Sequence, residues 1–113
     1  MIKTAKLFSY NNLQFGEDQL NIFGRRLVGQ PDVLPGYRLS ELIIRDPHIM
    51  RMSGKIIHIM VRYTGQRRNL IKGTLFKVTW AELLAADRYE AEDYKRVSAV
   101  LLSGALAWIY VSK

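Results

Sequence analysis

Five of the ten acidic residues are concentrated in one short stretch near the end of the sequence. They are Glu82, Asp87, Glu90, Glu92 and Asp93. Carboxyl groups can act as general acids or bases, particularly where burial or neighbouring negative charges raise the pKa of one of them. The alternative interpretation is the solvated end of a helix, and the residues alone leave both open.

The sequence lacks the residues and motifs that most other kinds of catalytic site require. The sequence contains no cysteine, which excludes disulfides, thiol nucleophiles and cysteine-based zinc sites. His48 and His58 lack the spacing of a helical metal-binding pair, so we interpret both as structural. Ser9 lies in no G-x-S-x-G motif, and there is no P-loop or G-x-G-x-x-G. We therefore predict no metal and no cofactor, and any catalysis must use carboxylates and backbone donors.

The chain carries 17 basic residues and a formal net charge of +7. Such a charge favours anionic ligands or nucleic acid as partners. The basic residues, however, are scattered from Lys3 to Lys113, without a helical stripe or an aromatic-rich RNA-binding signature. A nucleic-acid-binding module is therefore the last of the alternatives, and we predict no nucleic-acid partner.

A length of 113 residues suits one domain, residues 1–113. The start of the sequence has no apolar stretch of signal-peptide length, and no run approaches the ~18–20 apolar residues of a membrane span. The lack of cysteine fits a reducing compartment. We predict a cytoplasmic protein without a membrane partner, and the oligomeric state stays open.

The first half of the chain alternates between apolar runs and turn residues. Residues 5–10 predict a buried strand, and Asn11-Asn12 predicts a tight turn with left-handed backbone angles. Helical spacing of apolar residues predicts a helix over 17–27. Prolines and a glycine within 31–36 predict a loop before a strand at 37–45.

The second half is richer in strands. A polar connection at 48–54 separates a strand at 55–63 from one at 70–78, in which Gly73 indicates a bulge or a close backbone approach. Thr79 and Glu82 form a capping-box pattern for a helix that runs to Glu90. Two final strands, 96–103 and 105–112, are joined at Gly104. Because strands cluster instead of alternating with helices, the predicted class is α+β.

Six short segments resemble, in order, the motifs of the gamma-glutamyl cyclotransferase-like family. They are L-F-S-Y-N-N-L-Q at 7–14, L-P-G-Y-R-L at 34–39, G-T-L-F-K-V at 73–78, A-A-D-R-Y-E at 85–90, D-Y-K-R-V at 93–97 and A-W-I-Y-V at 107–111. The first resembles the family's Y-G-[ST]-L turn, and the fourth resembles the helix end that carries its catalytic glutamate. Each motif is short, but their order and spacing agree over residues 6 to 111.

The resemblance implies a small mixed β-barrel with short flanking helices and a gamma-glutamyl substrate. Together with the spacing of the apolar runs, it predicts a mixed, strongly curved sheet with residues 6–10 as a central strand. In the family's reaction the substrate's α-amine attacks its own side-chain carbonyl, which releases 5-oxoproline and a free amine or amino acid. No metal or protein nucleophile is required, because the substrate carries both reacting groups. An acid/base must move the protons, and donors must hold the oxyanion or the substrate carboxylate.

Residue by residue, the resemblance implies that Glu90 is the catalytic acid/base, with a pKa that burial would raise. It implies that residues 10–13 bind the substrate through their backbone, and that Tyr94 and Tyr110 line or support the pocket. The four residues of that turn are Tyr10, Asn11, Asn12 and Leu13. Arg96 is expected to pair with the acidic segment.

The sequence departs from the family pattern in two places. Asn11 replaces the glycine of the turn, and Ala91 replaces the glycine that follows the glutamate. Glycine allows the backbone to approach a ligand without a side chain in the way. A non-enzymatic protein that binds a small molecule or a partner on the same fold is therefore the alternative function.

Overall fold

The computed structural model describes residues 2–43, Pro47 and residues 57–113. The predicted polar connection at 48–54, with His48, lies outside the described residues, as do the inner ends of the two predicted strands that flank it. The described ends of those strands pair with each other in antiparallel register.

The described strands and helices account for most of the chain. The strands are β1 (Thr4–Ser9), β2 (Gly29–Pro35), β3 (Tyr37–Ile43), β4 (Ile57–Tyr63), β5 (Leu70–Thr79), β6 (Tyr94–Val100) and β7 (Leu106–Ser112). The helices with described bounds are α1 (Gly16–Phe23) and α2 (Trp80–Glu90), and a 3₁₀ turn spans Asn12–Gln14. This mixture confirms the predicted α+β class. Within the described ranges, no helix is long and apolar enough to cross a bilayer.

The strands pair in two sheets. Five form the order β2-β5-β1-β7-β6, while β3 and β4 form a separate two-stranded sheet. The β1–β7 pair is parallel and the other pairs are antiparallel, so the larger sheet is mixed. β1 is its central strand, as the sequence predicted. The closed barrel implied by the resemblance stays a prediction.

The larger sheet has a buried core on each face. Side chains of a strand point alternately to the two faces, so Leu7 packs towards the helices and Phe8 towards the β3–β4 hairpin. Both are completely buried. The helix side also contains Leu83 of α2, and the hairpin side contains Val61 of β4. Both cores therefore depend on the same central strand.

The predicted loop at 31–36 is wrong for residues 31–35, which belong to β2. Pro31 and Pro35 pair in register with Thr74 and Leu70 of β5. Proline lacks an N–H donor and is tolerated in edge strands, where one side of the backbone needs no partner. β2 is such an edge strand. Gly36, with a φ of 85°, then forms the turn into β3.

Helix α1 is shorter than predicted. It ends at Phe23, because Gly24 adopts the left-handed conformation that commonly terminates helices and its N–H bonds to the Leu20 carbonyl. Arg25 lies beyond the helix, where its guanidinium binds both carboxylate oxygens of Glu82 at 2.7 and 2.8 Å. Leu20, one of the apolar residues whose spacing predicted this helix, is 45% exposed.

Other local predictions are confirmed. The Thr79 hydroxyl accepts from the Glu82 N–H at 3.1 Å, and the Glu82 carboxylate accepts from the Thr79 N–H at 2.8 Å, which completes the capping box. Gly104 lies in the turn between β6 and β7 with a φ of 93°. The Ser103 hydroxyl donates to Asp32 at 2.6 Å and so attaches this turn to β2.

Gly73 confirms the predicted close backbone approach. A Cβ atom at this position would lie 2.3 Å from the Ser9 carbonyl oxygen and 2.6 Å from the Phe8 ring. We expect Gly73→Ala to lower the free energy of unfolding by about 1–3 kcal/mol, because the clash involves backbone at the end of β1. Urea unfolding would measure this loss.

Gly16→Ala is the matched control for Gly73→Ala. There, a Cβ atom would meet only the flexible Arg26 side chain, at 3.1 Å. Alanine is also the better helix former, so stability should stay the same or rise. Equal losses in both variants would contradict the steric explanation.

Candidate functional site

The turn after β1 is the first part of the candidate site. Its first hydrogen bond runs from the Gln14 N–H to the Asn11 carbonyl at 3.0 Å, and the Thr74 hydroxyl donates to the Gln14 side-chain oxygen at 3.1 Å. The predicted tight turn is therefore present. Asn11 does not use the left-handed backbone angles that asparagine tolerates, since positive φ among the described residues occurs only at glycines. A 3₁₀ turn reverses the chain with ordinary negative φ angles, so this turn does not require glycine.

The side chain of Gln19 holds the turn in place, a role that was not predicted from the sequence. Its side chain is 3% exposed, its Nε2 donates to the Leu13 carbonyl at 2.8 Å, and its Oε1 accepts from the Leu27 N–H at 2.8 Å. The available signal was its spacing of three and four residues from Ile22 and Phe23, which pack on the same core. A polar residue on an apolar helical face commonly satisfies buried backbone groups.

Glu90 is the buried member of the acidic segment. It ends α2 and is 7% exposed, whereas Glu92 is exposed and Asp87 is partly exposed. Leu83, Ala86 and Glu90 occupy one buried face of the helix, at helical spacing. The sequence places a carboxyl group where this face would otherwise continue with an apolar residue. The interpretation of this segment as a merely solvated helix end is therefore wrong for Glu90.

The charge of this carboxyl group influences the pKa of three tyrosines, Tyr10, Tyr94 and Tyr110. Burial raises the pKa of Tyr10 and Tyr110 well above the usual range, and it raises the pKa of Tyr94 to about 12. The charge of Glu90 is a smaller cause of each of these three upward shifts in pKa. Because Tyr10 begins the turn, the structure brings Glu90 and the start of the turn into one neighbourhood. These phenols keep their protons at neutral pH and act as hydrogen-bond donors.

The hydroxyl groups of these tyrosines connect distant elements. The Tyr10 hydroxyl donates to the Tyr110 carbonyl at 2.7 Å, and the Tyr94 hydroxyl donates to the Ile59 carbonyl of the hairpin, also at 2.7 Å. Leu13, by contrast, is 1% exposed within the helix-side core. Leu13 therefore contributes packing through its side chain, and its carbonyl accepts the Gln19 hydrogen bond.

Asp87 forms an ion pair with Arg96 and a hydrogen bond with Tyr110. It accepts two hydrogen bonds from the Arg96 guanidinium, at 2.8 and 3.1 Å, and one from the Tyr110 hydroxyl at 2.7 Å. The guanidinium centre lies 4.3 Å from the Trp108 ring centroid and 5.5 Å from that of Trp80. The predicted pairing of Arg96 with the acidic segment is confirmed. The tryptophan contacts were not predicted, because no spacing along the chain indicates them.

Tyr94 and Tyr110 also line a cleft of about 380 Å³ together with Asp87, Arg96 and Trp108. This cleft lies beside the end of α2. The resemblance places residues 10–13 and Glu90 at one substrate, and a common pocket lined by both stays a prediction. Within the described residues, no group of three or more His, Asp or Glu side chains is arranged to hold a metal ion.

Comparison with solved structures identifies proteins of the same fold. One solution structure from Arabidopsis thaliana has a TM-score of 0.73 at 22% sequence identity, and the match covers 97% of this chain and 62% of that one. A second solution structure from the same plant has a TM-score of 0.74 at 17% identity, and the match covers 98% of this chain and 70% of that one. An uncharacterized human protein has a TM-score of 0.73 at 12% identity, with 98% of this chain and 68% of that one covered. A structure of gamma-glutamyl cyclotransferase has a TM-score of 0.69 at 10% identity, with the same coverage.

These likenesses are restricted to the fold, since every identity is below 25%. The chain spans about three fifths of the first Arabidopsis protein. No family model matches the sequence, and no curated protein matches it either.

The buried tyrosines predict a loss of stability in alkali. In the unfolded chain a tyrosine titrates at about 10, whereas folding raises the pKa of Tyr94 to about 12. Stability is therefore complete below about pH 10 and falls as the pH rises towards 12, because only the unfolded chain then releases the proton. The urea midpoint measured against pH should decrease over this interval.

Tyr94→Phe tests the contribution of Tyr94. At neutral pH the variant should lose about 0.5–1.5 kcal/mol, because the hydrogen bond to the Ile59 carbonyl disappears. Above about pH 10 its stability should fall less steeply than that of the wild type. An unchanged slope would show that Tyr94 does not contribute to the alkaline transition.

Proposed function

We propose that this chain, which has the fold of gamma-glutamyl cyclotransferase, is itself an enzyme of that type. It would convert a small gamma-glutamyl compound into 5-oxoproline and a free amine or amino acid. We assign the activity to residues 1–113 as one cytoplasmic domain. The burial of Glu90, whose charge acts on Tyr10, Tyr94 and Tyr110, is the observation that carries the proposal.

Glu90 would move the protons of the reaction. The α-ammonium group of the substrate must lose a proton before its nitrogen attacks the side-chain carbonyl carbon. As the carbon–nitrogen bond to the leaving amine breaks, that amine must gain a proton. One carboxyl group can take the first proton and deliver the second, and removal from water favours the protonated form that the second step needs. Of the five clustered acids, only Glu90 is buried.

The turn at 10–13 would bind the substrate through its backbone. The hydrogen bond that closes the turn is donated by the N–H of Gln14 and therefore does not use the N–H groups of Asn11, Asn12 and Leu13. Backbone donors close in sequence can stabilise a carboxylate or an oxyanion without a charged side chain. The buried side chain of Leu13 and the bonds of Gln19 hold this turn in place.

The two departures from the family pattern do not disturb the backbone. Asn11 has no positive φ. Ala91 follows Glu90 with a φ of −57° and a ψ of −30°, a right-handed helical conformation that does not require glycine. Neither position therefore requires glycine for its conformation. The remaining objection is the bulk of the Asn11 side chain beside a ligand.

The alternative proposal is a protein of this fold that binds a small molecule or a partner without turnover. Asn11 in place of glycine favours it, because a side chain there can prevent the substrate from reaching the backbone donors. Incubating the pure protein with a panel of gamma-glutamyl amines and peptides would separate the two. Formation of 5-oxoproline supports the enzyme, and tight binding without product supports the alternative.

Glu90→Gln should abolish the cyclotransferase activity and leave the fold intact. Glutamine keeps the size of the side chain but cannot accept the ammonium proton, and a positioned acid/base contributes about 10²–10⁴-fold in rate. The measurements are 5-oxoproline formation and circular dichroism. Glu92→Gln is the matched control, because this neighbouring acid is exposed. Full activity in Glu90→Gln would end the assignment, and equal losses in both variants would point to the general field of the cluster.

Asn11→Gly combined with Asn12→Thr restores the family's Tyr-Gly-Thr-Leu turn. We expect this double variant to form 5-oxoproline faster than the wild type, since a side chain is removed from the approach to the backbone donors. Its stability should fall by roughly 0.5–1 kcal/mol through the added backbone entropy of glycine. If activity stays unchanged while Glu90→Gln is inactive, Asn11 does not restrict the substrate.

A further inference from the structure

A groove runs along β6 on the side that faces the β3–β4 hairpin. Two clefts, of about 380 and about 280 Å³, adjoin each other there and share Tyr37 and Tyr63. β6 lines the first with Lys95 and Val97, and it lines the second with residues 98–100. The groove therefore follows β6 from Lys95 to Val100, with five of these six residues in its lining, over about 20 Å at the rise of an extended chain.

Among the strands that the structure describes, none pairs with the second backbone edge of β6. β6 ends the order of the five-stranded sheet and pairs only with β7. Among the described residues, no further backbone hydrogen bond involves residues 95–100. Just beyond the strand, the Leu102 N–H bonds to the Val33 carbonyl of β2 at 2.8 Å, and the second cleft then separates Pro35 from β6. An unpaired strand edge bordering a cleft can receive another extended chain.

The groove combines an apolar floor with a basic rim. Val97 lines it and is partly exposed, together with the buried Val61 and Val111 of the hairpin-side core. Arg62, Lys95 and Arg67 line it and are exposed. The described lining contains no carboxylate, and the ion pairs of the described residues involve Arg25 and Arg96 instead.

Tyr37 and Tyr63 form the wall that the two clefts share. They face each other across the hairpin in register, with ring centroids 5.3 Å apart and an interplanar angle of 66°. The Tyr63 side chain is 73% exposed. Such an aromatic surface can cover the apolar side chains of a bound segment.

We propose that this groove binds an extended acidic peptide segment of a partner protein, which adds a sixth strand along the free edge of β6. Successive side chains of an extended segment point in opposite directions. Alternating residues can thus place apolar groups on the valine floor and carboxylates towards the basic rim. The edge of β6 supplies the backbone hydrogen bonds that give affinity in this kind of recognition.

A peptide suits the groove better than a single-stranded nucleic acid does. Three rim cations neutralise few phosphates, and phosphates dominate the affinity of nucleic-acid complexes. The valine floor offers apolar contact to side chains and none to a sugar-phosphate backbone. The free N–H and carbonyl groups of a strand edge also match a peptide backbone specifically. This inference agrees with the sequence-based prediction of no nucleic-acid partner and does not rest on the proposed enzyme activity.

The probe for this proposal is a fluorescently labelled six-residue peptide of alternating glutamate and valine. We expect saturable binding by anisotropy that weakens as salt is added. In the double variant Arg67→Gln and Lys95→Gln, binding should weaken roughly three- to tenfold, as for the loss of two exposed charge pairs. NMR of the complex should place the shifted amide signals in residues 95–100.

Two controls separate strand addition from simple charge attraction. Lys6→Gln with Lys77→Gln removes the same charge from exposed residues at a different cleft, and this pair should leave the affinity unchanged. A peptide methylated on alternate backbone nitrogens keeps its charge but cannot pair with β6, so it should not bind. The proposal is overturned if the methylated peptide binds equally, if both double variants weaken binding alike, or if no peptide binds at millimolar concentration. Tighter binding of a single-stranded oligonucleotide of equal charge, with displacement of the peptide, would also overturn it.

Discussion

The burial of β1 between two other strands and two cores is the constraint on which the rest of the structure depends. Its backbone pairs with β5 on one side and with β7 on the other. Its side chains alternate between the helix-side core and the hairpin-side core, so neither core can form without it. The turn that follows inherits its position from the end of this strand. At that end Gly73 admits the Ser9 carbonyl at a distance that no Cβ atom would allow.

The end of α2 is fixed by a second set of interactions, which are electrostatic. Asp87 lies one helical turn before Glu90, and the Arg96 guanidinium and the Tyr110 hydroxyl hold it against β6 and β7. The hydroxyl of Tyr10 bonds to the carbonyl of the same Tyr110. One chain of hydrogen bonds therefore links the start of the turn to the helix that carries Glu90. A charge-assisted network of this kind defines an orientation more strictly than apolar packing alone.

The sequence predicted the features that depend on neighbours along the chain. The capping box of residues 79 and 82 and the close backbone approach at Gly73 were predicted from local residue types. The central position of β1 was predicted from the order of the family motifs. Prediction from the sequence failed where a distant element decides the outcome. β2 was interpreted as a loop because its prolines are turn residues, but pairing with β5 overrides that preference at a sheet edge. Similarly, the Arg96 contacts with Trp80 and Trp108 join three elements far apart in sequence, and no periodicity indicates them.

The two edges of the larger sheet differ in a way that limits how copies of the chain can associate. At the β2 edge, Pro31 and Pro35 remove two N–H donors from the strand. β6 contains no proline and keeps its donors. Open-ended growth requires one edge of each copy to pair with the opposite edge of the next. With one edge obstructed by proline, the sheet can be extended at β6 without the product acting as a template for further copies. The proline pattern of β2 thus works against fibre formation while leaving one edge accessible.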